Sequence, residues 1–98
     1  MERIQTYSEF WQFYLKEHSL KATRQWHAWG LLAAILVGTL GCFVVGPSFV
    51  IIAILIGYGN AWYSHFFIEK NKPATFRYPF WSLISDFRLA FFYFTKQL

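Results

Sequence analysis

The chain has 98 residues, of which 56% are hydrophobic, 23% aromatic and only 14% charged, against roughly 25% charged in typical soluble proteins. So large an aromatic load is hard to hide in a water-soluble core of this size and suits a membrane interface. The net charge of +4 points to anionic lipid head groups rather than nucleic acid, because the basic residues are scattered and no nucleic-acid motif occurs. A single cysteine, Cys42, excludes an internal disulfide and reads as a buried, unreactive thiol.

The start, Met1-Glu2-Arg3-Ile4-Gln5, lacks the pattern of a signal peptide. Thr6 followed by Glu9 fits a capping box, and Phe10, Trp11, Phe13, Tyr14 and Leu15 give residues 6–18 a broad aromatic face. This segment reads as an amphipathic helix, either lying in the interface plane or packed against the rest of the chain. Residues 28–68 contain no Lys, Arg, Asp or Glu. Crossing a bilayer takes about 20 helical residues, so the stretch is long enough for two spans. Gly46-Pro47-Ser48 divides it, which predicts helices over 23–45 and 48–70. Arg3, Lys16, Lys21 and Arg24 precede the first span; Lys70, Lys72, Arg77, Arg88 and Lys96 follow the second. The positive-inside rule then puts both ends in the cytoplasm. Pro73 is expected to end the second helix by forcing Lys72 out of helical geometry; the loop 71–75 is either a plain stop or a lid over the site. Pro79 suits a helix N1 position, and residues 79–96 read as an interfacial helix, with Asp86 and Arg88 arguing against a third full span. The fold class is therefore an all-α membrane protein in one domain, 1–98: an antiparallel two-helix transmembrane hairpin with flanking N- and C-terminal amphipathic helices. A two-span chain buries little of its own surface, which leaves room for a homodimer.

Small residues recur every fourth position in both spans, Gly30, Ala34 and Gly38 in the first and Ala53, Gly57 and Ala61 in the second, as close helix packing in membranes requires. Continuing the second series by fours reaches His65 and then Glu69. His27 precedes Gly30 by three residues and lies near the matching face. The two histidines are about equally far from the Gly46-Pro47 turn, so an antiparallel hairpin brings them to one level near the cytoplasmic interface. His18, joined to the first span by a short link, is placed to add a third imidazole. Polar groups in a bilayer are costly unless paired or functional. Three imidazoles with an acidic group suit Fe(II), Zn or Mn. The plainer reading stands beside this one: His27 and His65 hydrogen-bond across the pair, Glu69 pairs with Lys72 or Arg24, and His18 is a helix C-terminal cation.

The runs Tyr14-Leu15-Lys16-Glu17-His18-Ser19, Ala22-Thr23-Arg24-Gln25-Trp26-His27, Ser64-His65-Phe66-Phe67-Ile68-Glu69-Lys70-Asn71-Lys72-Pro73-Ala74-Thr75-Phe76 and Tyr78-Pro79-Phe80-Trp81-Ser82-Leu83 with Asp86-Phe87-Arg88 carry a resemblance. They resemble a family long known only as a domain of unknown function, which includes the fungal endoplasmic-reticulum 2-hydroxy fatty acid dioxygenase; this chain is similar to its short bacterial form. The resemblance covers nearly the whole chain. It implies an Fe(II)-dependent α-oxidation that shortens a 2-hydroxy fatty acid by one carbon, in a multi-pass protein of the bacterial inner membrane. It implies that His18, His27 and His65 hold the metal, and makes Glu69, Asn71 and Asp86 candidates for catalytic or supporting roles. The cations Arg24, Lys72 and Arg77 become candidates for pairing with the substrate carboxylate. The partners are then a fatty-acid or lipid substrate and the bilayer, with no nucleic acid. A non-catalytic lipid-binding or membrane-shaping module, and a structural subunit of a membrane complex, are the alternatives.

Overall fold

A computed structural model describes residues 3–98. It is all-helical, with no strand among the described residues. Helix α1 (Tyr7–Glu17) is followed after a three-residue link by α2 (Lys21–Val44). A 3-10 turn (Pro47–Phe49) leads into α3 (Val50–Tyr63), which runs on as a π-helical stretch, Ser64–Glu69. A second 3-10 turn (Ala74–Phe76) precedes α4 (Pro79–Phe94).

The small residues set the α2–α3 register. A Cβ placed on Gly30 would come within 2.6 Å of the Asn60 Cβ, and one on Gly38 within 2.6 Å of the Ala53 Cβ; Gly57 faces Ala34. Partner numbers in α3 fall as those in α2 rise, so the two helices run antiparallel at backbone-to-backbone distance. Gly46 closes the turn at φ 143°, a conformation that residues with a Cβ avoid. The outer faces of the pair are bare: Leu40, Phe43, Ile51 and Leu55 are all mostly exposed. Lys21–Val44 and Pro47–Glu69 are long and apolar enough to cross a membrane.

The aromatic face of α1 turns out to be a protein contact. Thr6 Oγ1 accepts from the Glu9 amide at the N-cap, and Phe10 and Tyr14 are fully buried. Phe10 packs on Tyr78 (5.2 Å between centroids) and Trp81 (5.5 Å), and Trp11 on Phe92 (6.0 Å). Helix α4 therefore serves two neighbours. Its Leu89 and Ala90 are buried, and its C-terminal end reaches α2 through Phe94 on Trp29.

One expectation fails at the end of α3. Pro73 does not stop the helix; Lys70 does, three residues earlier, by entering the left-handed region at φ 65°. The Asn71 amide then closes back on the His65 carbonyl at 2.9 Å. A left-handed lysine costs roughly 1 kcal/mol, which the closed backbone bond and the Asn71 side-chain contacts described below offset.

Candidate metal centre and apolar groove

Three elements each supply one imidazole. His18 caps the C-terminus of α1, His27 lies in the second turn of α2, and His65 lies in the π-helical stretch. All three are buried, with 1%, 6% and 2% of their surface exposed. One ring nitrogen from each lies within 4.8 Å of the others, a grouping that could hold a metal ion.

The hydrogen bonds fix the tautomers. His18 Nδ1 faces the Tyr14 carbonyl at 2.7 Å, and His27 Nδ1 faces the Thr23 carbonyl at 3.0 Å. Carbonyl oxygens only accept, so both Nδ1 atoms carry protons. Ser64 agrees with this: its hydroxyl donates to the Ala61 carbonyl and can take a second share of the His27 N–H. His65 Nδ1 faces Asn71 Oδ1 at 2.6 Å. The amide orientation is settled on its other side, where Nδ2 donates to the Glu17 carbonyl (3.0 Å) and carboxylate (2.6 Å).

Three neutral imidazoles protonated at Nδ1 keep their lone pairs on Nε2. The Nε2 atoms of His18 and His27 stand 2.9 Å apart, and two lone pairs at that distance repel. A proton is a poor remedy, because burial, and then the neighbouring His27 and His65, hold the His18 pKa well below its ordinary value. A metal cation is the good one. Each ring would ligate through Nε2 while its Nδ1–H is held by an oxygen, the usual support for a metal-bound histidine. The donor set therefore fits a divalent transition metal.

The remaining candidates separate clearly. Asn71 orients His65 and ties it to the end of α1. Asp86 accepts from the Tyr14 hydroxyl at 2.5 Å, and the Tyr14 ring stacks on His18 at 4.0 Å between centroids. Burial pushes the Asp86 carboxyl up to about 7, against the opposing Tyr14 hydrogen bond. Glu69 is elsewhere. Its carboxylate accepts from the Leu20 amide (2.6 Å) and the Ser19 hydroxyl (3.4 Å), capping α2, whose N-cap residue has no capping side chain of its own. The fourfold spacing predicted Glu69 beside the histidines, but its hydrogen bonds go to the uncapped start of α2 instead.

The cations stand apart from the histidines too. Arg24 Nε donates to the His18 carbonyl at 2.6 Å, closing the end of α1. Lys72 and Arg77 are exposed, and Arg77 lies over the Tyr78 ring at 5.6 Å. None of the three lines either cavity at the site.

Those cavities meet at the histidines. One is an apolar groove of about 500 Å³ along α2, α3 and α4, running from His27 and Asp86 past Ala34 and Gly38 to Phe43 and Val50. The other is a small cavity of about 20 Å³ lined by all three histidines, Tyr14, Ser82 and Asp86. His27, Tyr58, Ala61 and Asp86 line both. The loop residues Pro73, Ala74 and Thr75 cover the small cavity, and Pro73 and Ala74 are buried. Sequence reasoning passed over Tyr14, Ser64 and Ser82. The usable signal was spacing, since Tyr14 is one turn before His18 and Ser82 one turn before Asp86.

Fold and site define a small all-helical protein, with two helices of membrane-crossing length and composition and a buried three-histidine group that could hold a metal ion. More specifically, the chain belongs to the 2-hydroxy-palmitic acid dioxygenase Mpo1-like family, whose sequence model matches residues 4–98. This is the family that the sequence runs indicated. No curated protein and no solved structure matches the chain.

Proposed function

We propose that this chain is an Fe(II)-dependent dioxygenase that shortens a membrane-borne 2-hydroxy fatty acid by one carbon. The observation that carries this reading is the convergence of three buried imidazoles, one ring nitrogen from each within 4.8 Å of the others, at the polar end of a long apolar groove. Family membership supports it, since the family is described by a 2-hydroxy-palmitic acid dioxygenase.

The balance of the reaction is simple. One O₂ cleaves the C1–C2 bond of the hydroxy acid; C1 leaves as CO₂, C2 becomes the new carboxyl, and one water forms. Iron bound by His18, His27 and His65 would supply the redox chemistry that O₂ needs to react with a closed-shell acid. The chain's own residues do the rest. Asn71, the Tyr14 carbonyl and the Thr23 carbonyl hold the rings in position through their Nδ1 atoms. The groove takes the acyl tail: from His27 to Phe43 it follows α2 for about 24 Å at 1.5 Å per residue, a length suited to an extended long-chain acid. Pro73 and Ala74 keep bulk water from the histidines.

In this reading α2 and α3 form a transmembrane hairpin in the bacterial inner membrane, with both chain ends cytoplasmic. The histidines lie at the helix ends flanked by Lys and Arg, so a substrate meets the site with its head at the interface and its tail in hydrocarbon. One chain supplies all three imidazoles, so the site does not require a dimer.

Elemental analysis of the purified, detergent-solubilised protein tests the proposal. About one iron per chain is expected, with one-carbon shortening of 2-hydroxypalmitate under O₂. His27→Ala is expected to lose both. A chain that binds the fatty acid yet holds no stoichiometric metal is a lipid-binding module, and the proposal is then wrong.

A further inference from the structure

The two cavities that meet at the histidines are lined by no lysine or arginine. A carboxylate brought there must find hydrogen-bond donors. Ser82 Oγ is buried and has no partner, on a residue only 3% exposed that lines the three-histidine cavity. Among the described residues one other buried hydroxyl is unpartnered, Thr23 Oγ1, and Thr23 lines neither cavity. Leaving a buried hydroxyl unpaired is costly, so an orphan on a residue that lines the three-histidine cavity calls for an explanation. Ser82 lies one turn before Asp86 on α4, so both project to one side of that helix. Its neighbour Ser85, in contrast, is tied to the Tyr7 hydroxyl at 2.9 Å and serves the α1–α4 contact.

We infer that Ser82 is the polar-head anchor of the substrate, its hydroxyl donating to a carboxylate oxygen of the acid whose tail fills the groove. The inference rests on the proposed reading of the site and adds the residue that replaces the missing cation. It also explains why α4, the helix outside the α2–α3 pair, is packed against the groove: it delivers Asp86 to the junction of groove and cavity and Ser82 to the cavity beside it.

The test measures equilibrium binding of radiolabelled 2-hydroxypalmitate to the full chain in detergent, with and without iron, for the wild type and Ser82→Ala. The dissociation constant is expected to rise about tenfold or more in Ser82→Ala, the worth of a hydrogen bond to a charged acceptor, with iron content unchanged. For hexadecane-1,2-diol, which keeps the chain but has no carboxylate, the same substitution is expected to change binding by a clearly smaller factor. Ser82→Thr, which retains a hydroxyl, should restore most of the affinity. Equal affinity of wild type and Ser82→Ala for 2-hydroxypalmitate, or equal losses for acid and diol, overturns the inference and leaves Ser82 holding a structural water. Binding does not need turnover. A chain that binds the acid through Ser82 but neither retains iron nor shortens the acid refutes the dioxygenase reading alone.

Discussion

Replacing Asp86 by asparagine should remove one arm of the protein's pH–stability curve. Burial moves the Asp86 carboxyl from 3.8 to about 7. Between those values the folded chain keeps a proton that the unfolded chain has released. Stability from this group is thus fully present below about pH 4 and declines as the pH rises towards 7. At about 1.4 kcal/mol per pKa unit, the whole interval is worth about 4 kcal/mol. That is an upper bound, because the side chain is only partly covered and lies against the open groove. Asparagine keeps the volume and an acceptor for the Tyr14 hydroxyl but never ionises. His18 works in the opposite direction: held neutral by burial, it costs stability as the pH falls below about 6.5. Wild type and variant share that slope, so it cancels in their difference. Thermal unfolding of both proteins in one detergent, from about pH 4 to pH 9, reads the effect. The difference is expected to grow from near zero at the acid end to roughly 2–4 kcal/mol in favour of asparagine by pH 8. Parallel curves across that range refute the claim that a buried carboxyl is being forced to ionise.

Asn71→Ala removes the acceptor on His65 Nδ1 and the tie to Glu17, and should weaken metal binding by about 10–100-fold; competition with a coloured Fe(II) chelator reads this directly. Glu69→Ala should cost about 1–2 kcal/mol of thermal stability through the lost cap on α2 while leaving iron content unchanged; a metal-depleted Glu69→Ala protein would return the residue to the site. Ala61→Phe should plug the junction of groove and cavity, so that turnover of 2-hydroxypalmitate falls steeply while iron is retained and a short water-soluble 2-hydroxy acid loses much less. Gly57→Ala, whose new methyl would meet Ala34 at an ordinary 3.6 Å, should be nearly silent in thermal unfolding. Gly38→Ala forces a 2.6 Å approach to Ala53 and should destabilise by about 1–3 kcal/mol.

The sequence by itself determined the all-helical class, the two apolar stretches and the family, because each of these is written in local order. Hydropathy over 20 residues, four-residue recurrence of small side chains and a long specific motif need no knowledge of what lies opposite. His27 and His65 could be placed at one level for the same reason, since residues counted from a shared turn keep regular helical spacing. That reasoning stopped at the first irregular turn. The π-helical stretch at Ser64–Glu69 ends in the left-handed Lys70, which turns Asn71 back onto His65, while the Glu69 carboxylate caps α2. Only the tertiary structure decided what α1 and α4 do. An aromatic face satisfies a lipid interface and a neighbouring helix equally well, and the choice depends on whether the partner's surface is complementary, here Tyr78, Trp81 and Phe92 against Phe10 and Trp11. The same packing carried Ser82 and Asp86 across to Tyr14 and His18, about seventy residues away in the chain, a separation across which no sequence periodicity persists.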